Sequence, residues 1–198
     1  MNNMISLPAP QTDLAFPLMK ALANRRSIRK WKDDPITEQD LSNLLWAACG
    51  QTVAQKGKAK SKRTAPSGCN SQEIRVYVLL ESGVFHYDEV NHALVQIIAD
   101  DIRENVGTQK MMKSAPLGLV FVADLTRMTS PFLKSMEAKK FNAWVDTGYI
   151  SQNIYLYCAA AGMATCALGL IDRKKLRELI PLQEHEKIVL DQVVGYLQ

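Results

Sequence analysis

The chain has 198 residues, 47% hydrophobic and 22% charged, which are globular values on the scale of one generous domain spanning 1–198. They exclude collagen-like, coiled-coil and extensively disordered proteins, and no internal repeat is visible. The net charge of +4 is a local effect: residues 56–63 (KGKAKSKR) hold five cations and no acid, and without them 19 cations face 20 acids. Setting aside Arg25, Arg26, Arg29, Lys30 and Lys32 as well leaves 14 cations against 20 acids, an acidic body with two basic patches. Such patches suit a phosphorylated ligand, whereas nucleic-acid binders spread positive charge over a whole face.

Residues 1–16 read as an extended arm, because Pro8 and Pro10 oppose regular structure. The arm has neither a basic n-region nor an apolar h-region, so no signal peptide is expected and a cytoplasmic location follows. Pro17 suits a helix start, and Leu18, Met19, Ala21 and Leu22 give a short helix that leads into Arg25-Arg26-Ser27-Ile28-Arg29. Thr37 with Glu38 and Asp40 forms an N-cap and an acidic first turn for a helix with Leu41, Leu44, Leu45 and Ala48 inward, stopped at Gly50. The Lys-rich loop 51–63 is expected to be mobile and, standing immediately before the polar turn that follows, to lie at the mouth of a ligand site. Arg63-Thr64-Ala65-Pro66-Ser67-Gly68-Cys69-Asn70-Ser71-Gln72 is a polar turn.

Ile74–Leu80 is a strand, and Ser82-Gly83 turns into a second short strand, 84–87. Val90, Ala93, Leu94, Ile97, Ile98 and Ile102 follow helical spacing and predict an amphipathic helix. A short helical piece near Lys110 ends at Pro116, and 117–123 is an apolar run expected to be a buried strand. Phe132 and Met136, in the loop 124–136, are placed to cover a pocket. A long helix is expected over 137–161, with Trp144, Ile154 and Leu156 as core candidates, then a strand, a helix capped by Asp172 and a last strand over 188–196. Residues 147–171 carry no charge, but Ser151, Gln152, Asn153, Gly162, Thr165 and Gly169 break the apolar run, which favours a buried helix and strand over a membrane span. The fold class read from this pattern is α+β, with a mixed central sheet of four or five strands flanked by helices on both faces.

Four cysteines without a CxxC pair point to reduced thiols. His86, Asp88 and His92 are the one metal-like grouping, and their spacing fits no standard site, so no metal is expected. The chemistry is concentrated elsewhere. Arg25, Arg26 and Arg29 offer planar forks of donors that match phosphate oxygens, and Ser27 adds a compact hydroxyl. Pro66, Ser67, Gly68 and Asn70 offer hydroxyl, carboxamide and accessible backbone.

RRSIR followed about forty residues later by PSGCNSQ resembles the FMN-dependent nitroreductase family, and the resemblance covers 17–196. It implies an intertwined homodimer with two FMN sites at the interface and no protein acid or nucleophile in catalysis. Arg25, Ser27 and Arg29 would hold the FMN phosphate, with Arg26 near the ribityl chain. Pro66, Ser67, Gly68 and Asn70 would reach the flavin of the partner subunit. Lys110 would stand near the N1/O2 edge and favour the reduced anion. Leu168 and Gly169 would present backbone toward N5; packing of helix on strand is the other explanation for Gly169. Asp146-x-Gly148-x3-Gln152-Asn153 with AAAGMATCALGL resembles the family's dimer-forming helix and following strand.

Two departures stand out. Many relatives place a further Lys or Arg on the phosphate after the last strand; none follows Tyr196, so phosphate affinity is expected to rest on RRSIR and the Lys-rich loop. Several carry Pro, an acid and Gly where this chain reads Ala167-Leu168-Gly169. The expected activity is NAD(P)H-driven ping-pong reduction of nitroaromatic or quinone-like oxidants, with NADH or NADPH as a transient visitor. The alternatives are flavin-dependent dehydrogenation of a metabolite or peptide azoline, suggested by the order strand–Gly–VFHYD–helix, a non-catalytic FMN-binding protein, and a basic-patch nucleic-acid binder.

Overall fold

Eleven of the apolar side chains that fill the molecule sit on two adjacent strands, 74–80 and 117–124, and the sheet is built outward from that pair. The computed structural model describes residues 4–57, 60–106 and 110–198, with Lys110 described for its backbone alone. In chain order the elements are β1 (Met4–Ser6), α1 (Leu18–Asn24), α2 (Glu38–Cys49), β2 (Gln51–Val53), β3 (Lys62–Arg63), β4 (Ile74–Leu80), β5 (Gly83–Asp88) and β6 (Ala93–Ile98). Then follow α3 (Lys110–Ser114), β7 (Leu117–Asp124), α4 (Met136–Ala161), β8 (Met163–Leu168), α5 (Arg173–Leu179) and β9 (Glu186–Tyr196).

Seven strands form one sheet in the order β1-β6-β5-β4-β7-β9-β8, and every described pairing in it is antiparallel. The class is α+β as expected, but the sheet is larger than four or five strands and is not mixed. The difference has one main source. The segment expected as a helix over 90–102 is strand β6, because Asp88 accepts from the backbone N–H of Val90 and Asn91 and closes a tight turn. His92 then takes φ +49, which no helix interior accommodates. The β-branched Val95, Ile97 and Ile98 continue as a strand against β5, with Tyr87 opposite Leu94. That strand gives the N-terminal arm an edge to join: Met4–Ser6 pairs with 93–95. The arm is further held to α2 by Ser42 Oγ on Pro8 O (2.6 Å) and by Gln39 on Ala9 O (3.0 Å).

Alternation along the central strands sorts side chains into two cores. Val76, Val78, Leu119, Phe121 and Val194 face α2 and α4, where Leu44, Leu45, Ala48, Ile150 and Ile154 meet them. Tyr77, Leu79, Val120, Val122 and Val193 face the other way, toward Trp31, Met112, Leu176 and Ile180. Helices therefore cover both faces, and all eight residues of β7 are buried.

The helix ends follow their sequence signals. Thr37 accepts from Asp40 N at the start of α2, and Asp172 accepts from Lys175 N at the start of α5. α4 begins under a Ser135 cap and ends at Gly162, whose φ of +68 is the left-handed stop that glycine supplies. At 26 residues, α4 spans about 39 Å at 1.5 Å per residue. Ile154 is fully buried in it and Leu156 partly so, but Trp144 is 64% exposed and is not a core residue. Phe141 and Tyr149 are exposed on the same helix, and Leu18, Met19 and Leu22 on α1. No helix among the described residues is long and apolar enough to cross a membrane.

Candidate functional site

The RRSIR segment leaves α1 in extended form and lies along the end of β8. Ile28 N–H donates to Thr165 O (2.9 Å), and Lys32 N–H donates to Tyr196 O (2.9 Å). Trp31 is buried beneath the segment and anchors it by Nε1 on Ser114 O (2.9 Å). The anchoring apolar residues point in, and Arg26, Ser27 and Arg29 stay at the surface.

No carboxylate pairs with Arg25, Arg26 or Arg29 among the described residues. Arg26 is partly committed, donating to Ala23 O and Arg25 O (both 2.8 Å) and so closing the C-terminal end of α1. Arg29 reaches Ser27 O at 3.4 Å. Arg25 places its guanidinium over the ring of Tyr155, 5.4 Å from the centroid. The Tyr155 hydroxyl lies 3.0 Å from Ser27 Oγ and accepts from Ala167 N–H at 2.9 Å. One tyrosine of α4 therefore joins RRSIR to the strand that ends in Leu168. Nothing in the sequence marks Tyr155, which reads as one more apolar position in a long helix.

Gly169 follows β8, and a Cβ built there would meet nothing within 4 Å. Packing of helix on strand does not require this glycine; its backbone faces open space that a planar ligand can enter. On the neighbouring strand, Asp191 lies opposite Leu168 and is almost wholly buried, and that burial pushes its carboxyl up to about 7. Lys110 opens α3, and its side chain lies outside the described residues, as do Lys58 and 107–109.

The PSGCN turn occupies another part of α4. Gly68 N–H donates to Asp146 Oδ2 (2.8 Å), and a Cβ at Gly68 would lie 2.5 Å from Asn142 Oδ1, so this glycine lets the loop press on the helix. Cys69, Asn70 and Gln72 adopt φ of 53, 50 and 52. Each left-handed non-glycine residue costs energy that surrounding contacts must offset. Those contacts are present: Ser67 Oγ accepts from Gln72 N–H (2.9 Å), and Ser61 O accepts from Asn70 Nδ2 and Gln72 Nε2 (3.0 and 2.6 Å). The Lys-rich segment is thus tied to the turn, with β2 and β3 pairing at its ends, so the expected loose loop 51–63 is ordered where described. Pro66, Ser67, Asp146 and Ile150 line the small space behind the turn.

Beneath the turn, Glu73 is fully buried and its carboxyl is coupled electrostatically to that of Asp146. Neither Glu73 oxygen finds a hydrogen-bond partner among the described residues. Burial, opposed by the Glu73 backbone and aided by the Asp146 charge, raises the Glu73 carboxyl from 4.5 to about 7; burial raises Asp146 as well. A buried carboxyl with no donor and a second carboxyl coupled to it favours its protonated form. Arg63 stands nearby, its guanidinium paired with Glu89 and donating to Ile74 O (3.1 Å).

Within one chain the two motifs do not converge. The turn meets α4 at Asp146 and RRSIR meets it at Tyr155, about 13 Å further along the axis. Along the first turns of α4, Met136, Phe141 and Trp144 line an open groove of about 710 Å³. Phe132 is 84% exposed and is not among the groove's lining residues. His92 is held by Tyr87 and Ser42, and no group of metal-ligating residues occurs among the described residues.

The chain is 25% identical over 184 residues to a Methanocaldococcus jannaschii protein classed as a nitroreductase, covering 87% of this chain and 88% of the relative. It is 25% identical over 180 residues to the FMN reductase [NAD(P)H] of Bacillus subtilis, spanning 87% of this chain but 61% of that longer protein. Among solved structures, a Ralstonia eutropha protein classed as a nitroreductase superposes with a TM-score of 0.87 at 36% identity, covering 98% of this chain and 90% of that one. The family model of the nitroreductases matches residues 22–196, and the chain belongs to the nitroreductase family.

Proposed function

We propose that the protein is an FMN-dependent oxidoreductase that uses NADH or NADPH to reduce nitroaromatic or quinone-like acceptors. The observation that carries the reading is the unpaired Arg25, with Ser27 beside it, tied through Tyr155 to a strand end whose Gly169 faces open space. An anionic group at one end and a flat ring at the other is the shape of FMN. Arg25, Ser27 and Arg29 would hold the phosphate, Arg26 would stand by the ribityl chain, and Leu168 and Gly169 would lie under the ring. When bound, FMN supplies two-electron redox chemistry, exchanging with the nicotinamide and then the acceptor in ping-pong order. The chain's own part is binding, orientation and exclusion of water.

The working unit is a homodimer. Pro66, Ser67, Gly68 and Asn70 meet α4 about 13 Å from the RRSIR contact and would serve the flavin of the partner. The exposed Phe141, Trp144 and Tyr149 are the apolar surface such a partner would cover. The dehydrogenase alternative loses part of its motive, because the segment after VFHYD is strand β6 and not a helix.

Steady-state kinetics with varied NAD(P)H and a quinone or nitroaromatic test the reading. Parallel double-reciprocal lines that depend on added FMN support it. FMN binding without turnover would make the protein a flavin store.

A further inference from the structure

The hydrogen bonds through Tyr155 can run in series from the backbone to the surface. Its hydroxyl accepts from Ala167 N–H at 2.9 Å and lies 3.0 Å from Ser27 Oγ. A tyrosine hydroxyl has one proton to give. Either hydroxyl can be the donor in that pair. Where Ser27, at the surface, gives its proton to an outside anion, Tyr155 is the group left to donate to Ser27 Oγ. Hydrogen bonds in series polarise one another, which strengthens the outermost donor. The same tyrosine presents its ring face to Arg25, 5.4 Å from the centroid, which attracts the guanidinium and limits its rotamers. The Arg25 guanidinium makes no other polar contact among the described residues, so its donors remain free.

We propose that Tyr155 is a positioning residue of the phosphate seat: it turns the Ser27 proton outward and steadies Arg25, so that both meet the phosphate monoester of FMN. The proposal rests on the flavin reading above and adds a residue on α4 to a seat otherwise made of RRSIR alone. It also gives that seat a mechanical link to Ala167, next to the strand end where the ring would lie.

The experiment is titration of the apoprotein with FMN and with riboflavin, which lacks the phosphate. The proteins are wild type, Tyr155→Phe, Tyr155→Leu, Ser27→Ala, Arg25→Ala and the double variant Tyr155→Phe/Ser27→Ala. Tyr155→Phe should weaken FMN about 5- to 10-fold, the effect of degrading one charge-assisted hydrogen bond. Riboflavin affinity should stay within about twofold, since no donor to the phosphate affects it. Tyr155→Leu, which also removes the ring, should lose more FMN affinity than Tyr155→Phe. In the Ser27→Ala background, Tyr155→Phe should have no further effect. Equal losses for FMN and riboflavin would make Tyr155 a packing residue only and overturn the proposal. So would an unchanged FMN preference in both Tyr155 variants while Arg25→Ala loses it, and the flavin reading would then stand without Tyr155. A wild type that takes up neither flavin overturns both.

Discussion

Replacing Glu73 by glutamine tests the proton held beneath the PSGCN turn. Glu73 has no solvent exposure, and its carboxyl is raised from 4.5 to about 7, chiefly by burial. The folded protein therefore holds this proton more tightly than the unfolded chain does. Its contribution to stability is complete below about pH 4.5, declines as the unfolded chain ionises, and is lost once pH passes about 7. A displacement of this size corresponds to about 3 kcal/mol. The amide in Glu73→Gln cannot ionise, and its N–H can still donate to Asp146, which continues to accept from Gly68. The variant should thus gain about 3 kcal/mol relative to wild type between pH 5 and pH 8, or roughly 6–12 °C in melting temperature for a chain of this size. Urea unfolding of both apoproteins at matched concentration across that range gives the answer, because titrating groups away from the Glu73–Asp146 pair cancel in the difference. A difference that does not change with pH would mean that the folded protein does not hold the Glu73 proton above its ordinary range.

Arg25→Ala or Arg29→Ala should each weaken FMN about 10- to 150-fold in fluorescence titration, since charge-assisted hydrogen bonds contribute roughly 1.5–3 kcal/mol. Both variants should leave riboflavin unaffected, and wild-type FMN affinity in both would make RRSIR a solvated basic face. Gly169→Ala should melt within about 1 °C of wild type, because its Cβ enters open space, yet bind flavin more weakly. Unchanged flavin affinity would move the ring away from this strand end. Trp144→Glu should shift the protein from dimer toward monomer by sedimentation, with loss of FMN. Interfaces of the obligate kind bury more than about 2,000 Å², and a monomer that keeps tight FMN binding would contradict the shared site.

Local chemistry made much of the fold legible. Thr37, Ser135, Gly162 and Asp172 each act within one helical turn, and the continuous apolar run of β7 can only be buried. What failed was local as well, but ambiguous. The apolar positions from Val90 to Ile102 satisfy helical spacing, and the turn made by Asp88 and the left-handed His92 overrides it. Trp144 reads as core because composition cannot tell a surface covered by the molecule's own core from one left to solvent or a partner. RRSIR and PSGCN were legible as motifs because their residue types are unusual. Tyr155, Asp146 and Glu73 were not: an α4 tyrosine and two acids carry no signal until the fold brings them against Ser27, Gly68 and each other.

The central claim is that this chain binds FMN and passes electrons through it. The direct measurement is the visible spectrum of the purified protein, reconstituted with FMN where needed and then treated anaerobically with NADH or NADPH. A yellow protein that releases FMN on denaturation, bleaches with the nicotinamide and regains its colour on addition of a quinone is the predicted result. A protein that gains no flavin absorbance in the presence of FMN would contradict the account.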